Sequence, residues 1–301
     1  MHDVLVTSGN VPIAARDYGG DGSGIVLLHG AGGNLAHMTS LARALSPTYR
    51  VVAVDLRGHG RSGDGPWNWP DVLADLDAVV ADLRLGAPSM VGMSLGGMIA
   101  TMWADTHPDG PGAVSLDGNP TPSRPDQLAG LSPVVAGREL DRLRSMFDGM
   151  AAMLAAPISD DQITAARAGQ RAMADQYGDD EQAWVEGFDR SLVERDGQTF
   201  LRPDPATTAA LRRAMAELDL VPAYRALRCP LLVVLATEDM PEQEPFHELY
   251  AAHRRYVAAQ LATVENRYLQ VIPLARASHA MVAERPRELG ELIVDFLTSR
   301  R

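Results

Sequence analysis

Ser94 stands between glycines in the stretch Gly92-Met93-Ser94-Leu95-Gly96, and what it can do depends on what the chain brings beside it. A neutral serine hydroxyl is a poor nucleophile. It needs a base to take its proton, and histidine suits the task because its pKa lies near neutral pH. The chain has eight histidines, and His279 alone falls in a loop between the last expected strand, "LQVIPLAR", and the last expected helix. His247 and His253 lie in an acid- and arginine-rich helix and read as surface residues, while His107 reads as a helix end. A third stretch is unusual for its charge: the apolar run Leu231–Ala236 leads straight into Glu238, Asp239, Glu242 and Glu244. Such a cluster is either a solvated loop or the source of a carboxylate with a catalytic partner elsewhere.

The elements that must position these residues alternate in type. Short apolar runs suggest strands at 4–8, 13–17, 25–29, 51–55, 89–93 and 113–116, with helical patterns at 35–45, 72–83 and 95–106 between them. That alternation predicts βαβ units and a mostly parallel sheet flanked by helices, an α/β fold. "PSMVG" reads as a strand and "LGGMIATMWADTHP" as a helix, so Ser94 falls on a strand-to-helix turn that would hold it exposed and strained. From Pro120 to about Pro222 no strand is evident. Helix-like stretches at 140–154, 160–176 and 207–217 are broken by proline and glycine, and 160–176 and 178–190 read as charged, solvated faces. Alternation then returns, with strands at 231–236 and 269–273 and helices at 246–262 and 287–297. The simplest organisation is a core domain of residues 1–119 and 223–301 with a helical insertion, or cap, at 120–222, too long for an ordinary loop.

Composition removes several classes. All 27 basic residues are arginine, so a phosphate loop built on lysine, a pyridoxal site and a Schiff-base lysine are excluded. A net charge of −12 disfavours a nucleic-acid partner. Cys229 is the only cysteine, and in "LRCPLLVV" it reads as a small buried filler. No apolar run reaches the roughly 20 residues of a membrane helix, and "MHDVLVTSGN" carries an acid early without a signal pattern. A soluble cytoplasmic protein acting on a small molecule, with no membrane partner, is expected.

Five stretches in order, "VLLHGAGGN" at 26–34, "VVAVDLRGHGRS" at 51–62, "VGMSLGGM" at 91–98, "LLVVLATED" at 231–239 and "ASHAMVAERP" at 277–286, resemble the α/β-hydrolase superfamily over essentially the full chain. The resemblance implies Ser94 as nucleophile, His279 as base, and the backbone N–H groups of Ala31 and Leu95 as an oxyanion hole. It implies a triad acid at Asp239, although Ala236 stands where relatives commonly have glycine; Glu238 and Asp117 are the alternatives. His29, Asp55, Arg57 and His59 would shape loops around the site. Relatives that attack sp³ carbon carry aspartate at the elbow, so Ser94 points to acyl transfer through a serine ester. No metal or organic cofactor is implied.

The insertion occupies the place of the family's lid. Met146 and Met150, which recur at helical spacing with Leu143, Phe147, Met153 and Leu154, are candidate substrate contacts together with Met93 of the elbow, though packing of the cap against itself is a competing reading. Trp67 and Trp69 lie either near the pocket mouth or as loop anchors. The expected activity is hydrolysis of a carboxylic ester or lactone of a small to medium, partly apolar metabolite. The same triad also serves thioester, amide and carbon–carbon bond hydrolysis and cofactor-free perhydrolysis of the haloperoxidase kind. A non-catalytic ligand-binding member of the fold is the reading from a different class.

Overall fold

The computed structural model describes residues 1–299. The first strands are β1 (His2–Ser8), β2 (Val11–Gly19) and β3 (Gly24–Leu28), followed by α1 (Thr39–Leu45), β4 (Arg50–Val54), α2 (Trp69–Asp82), β5 (Ser89–Met93), α3 (Leu95–Thr106) and β6 (Ala113–Leu116). After the insertion come α8 (Val221–Ala226), β9 (Leu231–Ala236), α9 (His247–Ala262), β10 (Leu269–Leu274), α10 (Met281–Glu284) and α11 (Pro286–Thr298). One eight-stranded sheet runs in the order β1-β2-β4-β3-β5-β6-β9-β10. β1 and β2 are antiparallel to each other, β2 is antiparallel to β4, and every later pairing is parallel.

Parallel strands covered on both faces read as continuous apolar runs, and β9 shows why. Leu231 and Val233 belong to the cluster on one side of the sheet, with Leu76, Ile99 and Trp103, whereas Leu232 and Val234 belong to the other, with Leu41, Leu289 and Ile293. Each such fully buried side chain contributes about 1.5–3 kcal/mol. No helix among the described residues is long and apolar enough to cross a membrane.

Between β6 and α8 lies the inserted segment: α4 (Pro133–Ala155), α5 (Asp160–Tyr177), α6 (Glu181–Arg190), β7 (Leu192–Arg195), β8 (Gln198–Leu201) and α7 (Pro205–Glu217). The expectation of a strand-free insertion is corrected here, because β7 and β8 pair as an antiparallel hairpin. Its turn is Asp196-Gly197, both at positive φ (51° and 73°), the backbone that suits the twist of a two-residue hairpin. The segment is otherwise helical. α8 packs with the main core through Tyr224, and residue 222 lies inside that helix.

Candidate active site

Ser94 follows β5 directly with φ 54° and ψ −116°, a conformation a side chain adopts only under strain. Its N–H donates to the Leu116 carbonyl at 2.9 Å, and the Gly96 N–H donates to that of His29 at 3.1 Å, so the turn is pinned on both sides. The flanking glycines are steric necessities. A Cβ on Gly92 would stand 2.0 Å from the Gly96 carbonyl oxygen, and one on Gly96 would stand 2.3 Å from that of Leu28. Leu95 is the first residue of α3, where the N–H has no acceptor within the helix. Across from it the Gly30–Gly33 turn closes through Gly33 N–H to the Gly30 carbonyl (3.0 Å), and Ala31 and Gly32 line a cavity together with Ser94.

His279 follows β10 and meets a carboxylate, but that of Asp117 and not Asp239. Its Nδ1 lies 2.6 Å from Asp117 Oδ2. Asp117 leaves β6 at φ 48°, its N–H tied to the Val234 carbonyl (2.8 Å), and its Oδ1 accepts the Ala236 N–H (3.1 Å). Burial opposes charge on Asp117, yet the hydrogen bond and charge of His279, with the Ala236 N–H, hold its pKa below the usual carboxylate value. Burial likewise opposes charge on His279, yet Asp117 outweighs it and raises the imidazole pKa above its ordinary value. Since an ionised Asp117 can only accept, Nδ1 carries the proton and Nε2 is left with a lone pair. Ser94, Asp117 and His279 line one cavity of about 580 Å³.

Asp239 is carried elsewhere. The N–H groups of Thr237 and Glu238 both donate to the Ala277 carbonyl (2.9 and 3.1 Å), which folds the loop back before Asp239 is reached. Its carboxylate then pairs with His247 at 2.5 Å and with Arg254. Glu238 is exposed on the wall of the Ser94 cavity. His253 is not the surface residue the sequence suggested. Its ring nitrogens stand 3.2 and 2.9 Å from the carbonyls of Gln127 and Pro120, and burial pushes its pKa below the ordinary value against their pull.

The three methionines expected at the substrate separate. Met150 lines a second cavity at Ser94, of about 550 Å³, with Leu143, Phe147 and Leu154. Met146 packs instead into the cluster of Leu128, Leu140 and Leu249 that joins α4 to α9. Met93 lines a smaller cavity of about 310 Å³ beyond the Gly30–Gly33 turn. Trp67 is buried edge-on against Trp69 (5.0 Å between centroids), the loop-anchoring alternative. Cys229 is buried, which pushes its thiol up to about 11 and leaves it protonated. Among the described residues no group of three or more His, Cys, Asp or Glu is arranged to hold a metal ion.

The loop residues around the site are tied as structural elements. The His29 Nε2 accepts the Leu56 N–H (3.0 Å), Arg57 makes a two-pronged pair with Asp75 (2.7 and 2.8 Å), and the His59 ring sits 5.1 Å from that of His29. One contact set left no trace in the residue pattern: α6, read as solvated, docks on the core. Arg190 Nε pairs with Asp55 at 2.8 Å, both side chains fully buried, and its Nη1 reaches Asp3 at 2.9 Å. Asn34 Nδ2 donates to the Gly187 carbonyl (2.6 Å) beside it.

A strained serine between sheet and helix, a histidine–aspartate pair in the same cavity and a glycine-rich turn come together in one site. The profile of the alpha/beta hydrolase family matches residues 25–292, and the chain belongs to that family. Similar proteins are named as esterases and hydrolases. Over 132 residues it is 34% identical to a pimeloyl-[acyl-carrier protein] methyl ester esterase of Aliivibrio fischeri, covering 42% of this chain and 49% of that one. The chain thus spans about half the length of that relative. Against the enzyme of the same name from Aeromonas hydrophila it is 26% identical over 282 residues, 92% of this chain and 96% of the other. The fold is shared with E-2-(acetamidomethylene)succinate hydrolase (TM-score 0.71, 23% identity, 99% of each chain) and with a thermophilic esterase from Thermogutta terrifontis (TM-score 0.66, 20% identity, 100% and 99%).

Proposed function

We propose that the chain hydrolyses a carboxylic ester of a small to medium, partly apolar metabolite through Ser94, His279 and Asp117. The observation that carries this reading is the 2.6 Å contact between His279 Nδ1 and Asp117 Oδ2 in the cavity that Ser94 lines. The Ser94 hydroxyl attacks the ester carbonyl carbon while its proton passes to His279 Nε2. Charge that develops on the carbonyl oxygen is met by the N–H groups of Leu95 and Ala31, donors fixed before the reaction begins. The C–O bond to the alcohol then breaks, and the alcohol leaves with the proton held at Nε2. Water repeats the sequence on the serine ester, giving up its proton to Nε2, and releases the acid with Ser94 restored. Throughout, Asp117 keeps the proton on Nδ1 and stabilises the imidazolium. An internal ester, a lactone, follows the same steps with the alcohol still attached.

A fluorophosphonate is expected to form a covalent adduct on Ser94, read as a mass shift of the peptide that contains it. Absence of labelling in the folded protein, with Ser94→Ala unaltered in ligand binding, would support the non-catalytic reading instead. The profile of kcat/KM against pH supplies an independent check. His279 must be neutral to act as base, so activity falls as pH drops through its pKa. Because Asp117 raises that pKa, the acid limb is expected to lie above the ordinary imidazole value of about 6.5. A limb below that value would contradict the coupling.

A further inference from the structure

Two cavities meet at Ser94, sharing Ser94, Thr121, Pro122 and Phe147, and their walls differ in charge. The one that holds His279 carries Arg254 and Arg255 against Asp117 and Glu238, a balanced set. The other, beneath α4 and α7, is walled by apolar side chains such as Met98, Leu143, Met150, Leu211 and Met215, yet Arg144, Arg212 and Arg213 also line it and no acid does. Three arginines with no lining acid are notable in a chain of net charge −12. Arg144 and Arg212 pair outward with Asp141 (2.6 Å) and Asp148 (2.8 Å), carboxylates that are 74% and 72% exposed. Pairs so open to water are weak, and the Arg212 guanidinium also lies 5.4 Å from the centre of the Phe147 ring on the cavity wall. Arg213 pairs with no carboxylate among the described residues.

The chemistry proposed for Ser94 decides which half of an ester enters which cavity. The departing alcohol takes its proton from His279 Nε2, so it must lie on the His279 side. The acyl half is then directed past Ala31 and Gly32 into the cavity with the three arginines. We propose that the acyl group is an apolar chain ending in an anion, its methylenes against Leu143, Phe147 and Leu211 and its far charge met by Arg144, Arg212 and Arg213. The assignment rests on the serine-hydrolase reading and adds to it the class of acid released, one with a second, anionic terminus.

The test compares esters that differ only in where charge lies. Mono-4-nitrophenyl esters of straight-chain dicarboxylic acids are set against 4-nitrophenyl esters of monocarboxylic acids of equal length, and against esters of the same monocarboxylic acids with an ω-hydroxy acid. The anionic acyl series is expected to be preferred about tenfold in kcat/KM at low salt, with the preference shrinking as salt rises. It should fall below about threefold in the Arg144→Gln/Arg213→Gln double variant and persist in Arg171→Gln, a surface control on α5. No preference, a preference for charge on the alcohol, or a ratio unmoved by the double variant would overturn the assignment. Binding separates this from the reaction itself: Ser94→Ala should bind a dicarboxylic monomethyl ester more tightly than the matching neutral methyl ester. Equal or weaker binding sinks the anion site whatever the activity. A failure of Ser94 to label with fluorophosphonate sinks the hydrolase reading and leaves the binding comparison standing.

Discussion

Asp117→Asn is expected to lower kcat/KM on a short 4-nitrophenyl ester by roughly 10³–10⁴-fold, the scale seen when a triad acid is made neutral without loss of shape. Asp239→Asn is expected to change it by less than about threefold. The asymmetry follows from what each carboxylate touches. Asparagine at 117 can turn its amide NH₂ toward His279 Nδ1, and the ring answers by moving its proton to Nε2, where a base for Ser94 is needed. The imidazolium that forms on attack also loses its counter-charge. Without Asp117 only burial acts on the ring, so the acid limb of the residual activity should shift to lower pH. Asp239 pairs with His247 and Arg254 on α9 and in no direct way touches the reacting groups. Steady-state kinetics of both variants decide the matter. A large loss in Asp239→Asn alone would return the acid to the position expected from the motif order.

That choice marks where the sequence stops being informative. The places of Ser94 and His279 in the fold were legible because each sits in a local pattern, strand–turn–helix for one and strand–loop–helix for the other. The acid is a question of which of two neighbouring strand ends reaches the imidazole. β6 and β9 run parallel with Leu116 opposite Val234, so both deliver acids to the same edge of the sheet. The left-handed turn at Asp117 and the double anchoring of Thr237 and Glu238 on Ala277 decide between them, and neither is a property of residue type. The β7–β8 hairpin did have a local signal, Asp196-Gly197 between short β-capable runs, but the glycine read as a helix break. The eight-stranded sheet was legible in outline because buried parallel strands advertise themselves as apolar runs. Which methionines face the substrate was not, since helical spacing marks a face of α4 without saying what packs against it.

The docking of α6 was hidden for the same reason, and its disruption carries the second large effect. Arg190→Ala is expected to destabilise the fold by about 3–5 kcal/mol, the range for removing one partner of a buried ion pair. Asp55 is the residue left behind. Burial already pushes its pKa above the usual carboxylate value, while the Arg190 charge and the N–H groups of Leu35 and Arg61 pull it down. Removing Arg190 takes away the largest of these opposing pulls and leaves a buried carboxylate held by two backbone donors. The consequence extends to Ser94, because Asp55 Oδ1 accepts the Leu35 N–H (2.8 Å) just beyond the Gly30–Gly33 turn, and Asn34 in between is tied to α6 at Gly187. A loosened α6 therefore loosens the turn that carries the Ala31 donor. The expected signature is a lower midpoint in urea together with a fall in kcat that exceeds any change in KM. Arg190→Ala/Asp55→Asn should recover part of the stability by removing the stranded charge, yet not the catalytic loss, since α6 would still lack its anchor. Loss of stability with kcat intact would show that the pair holds the inserted segment without bearing on the turn.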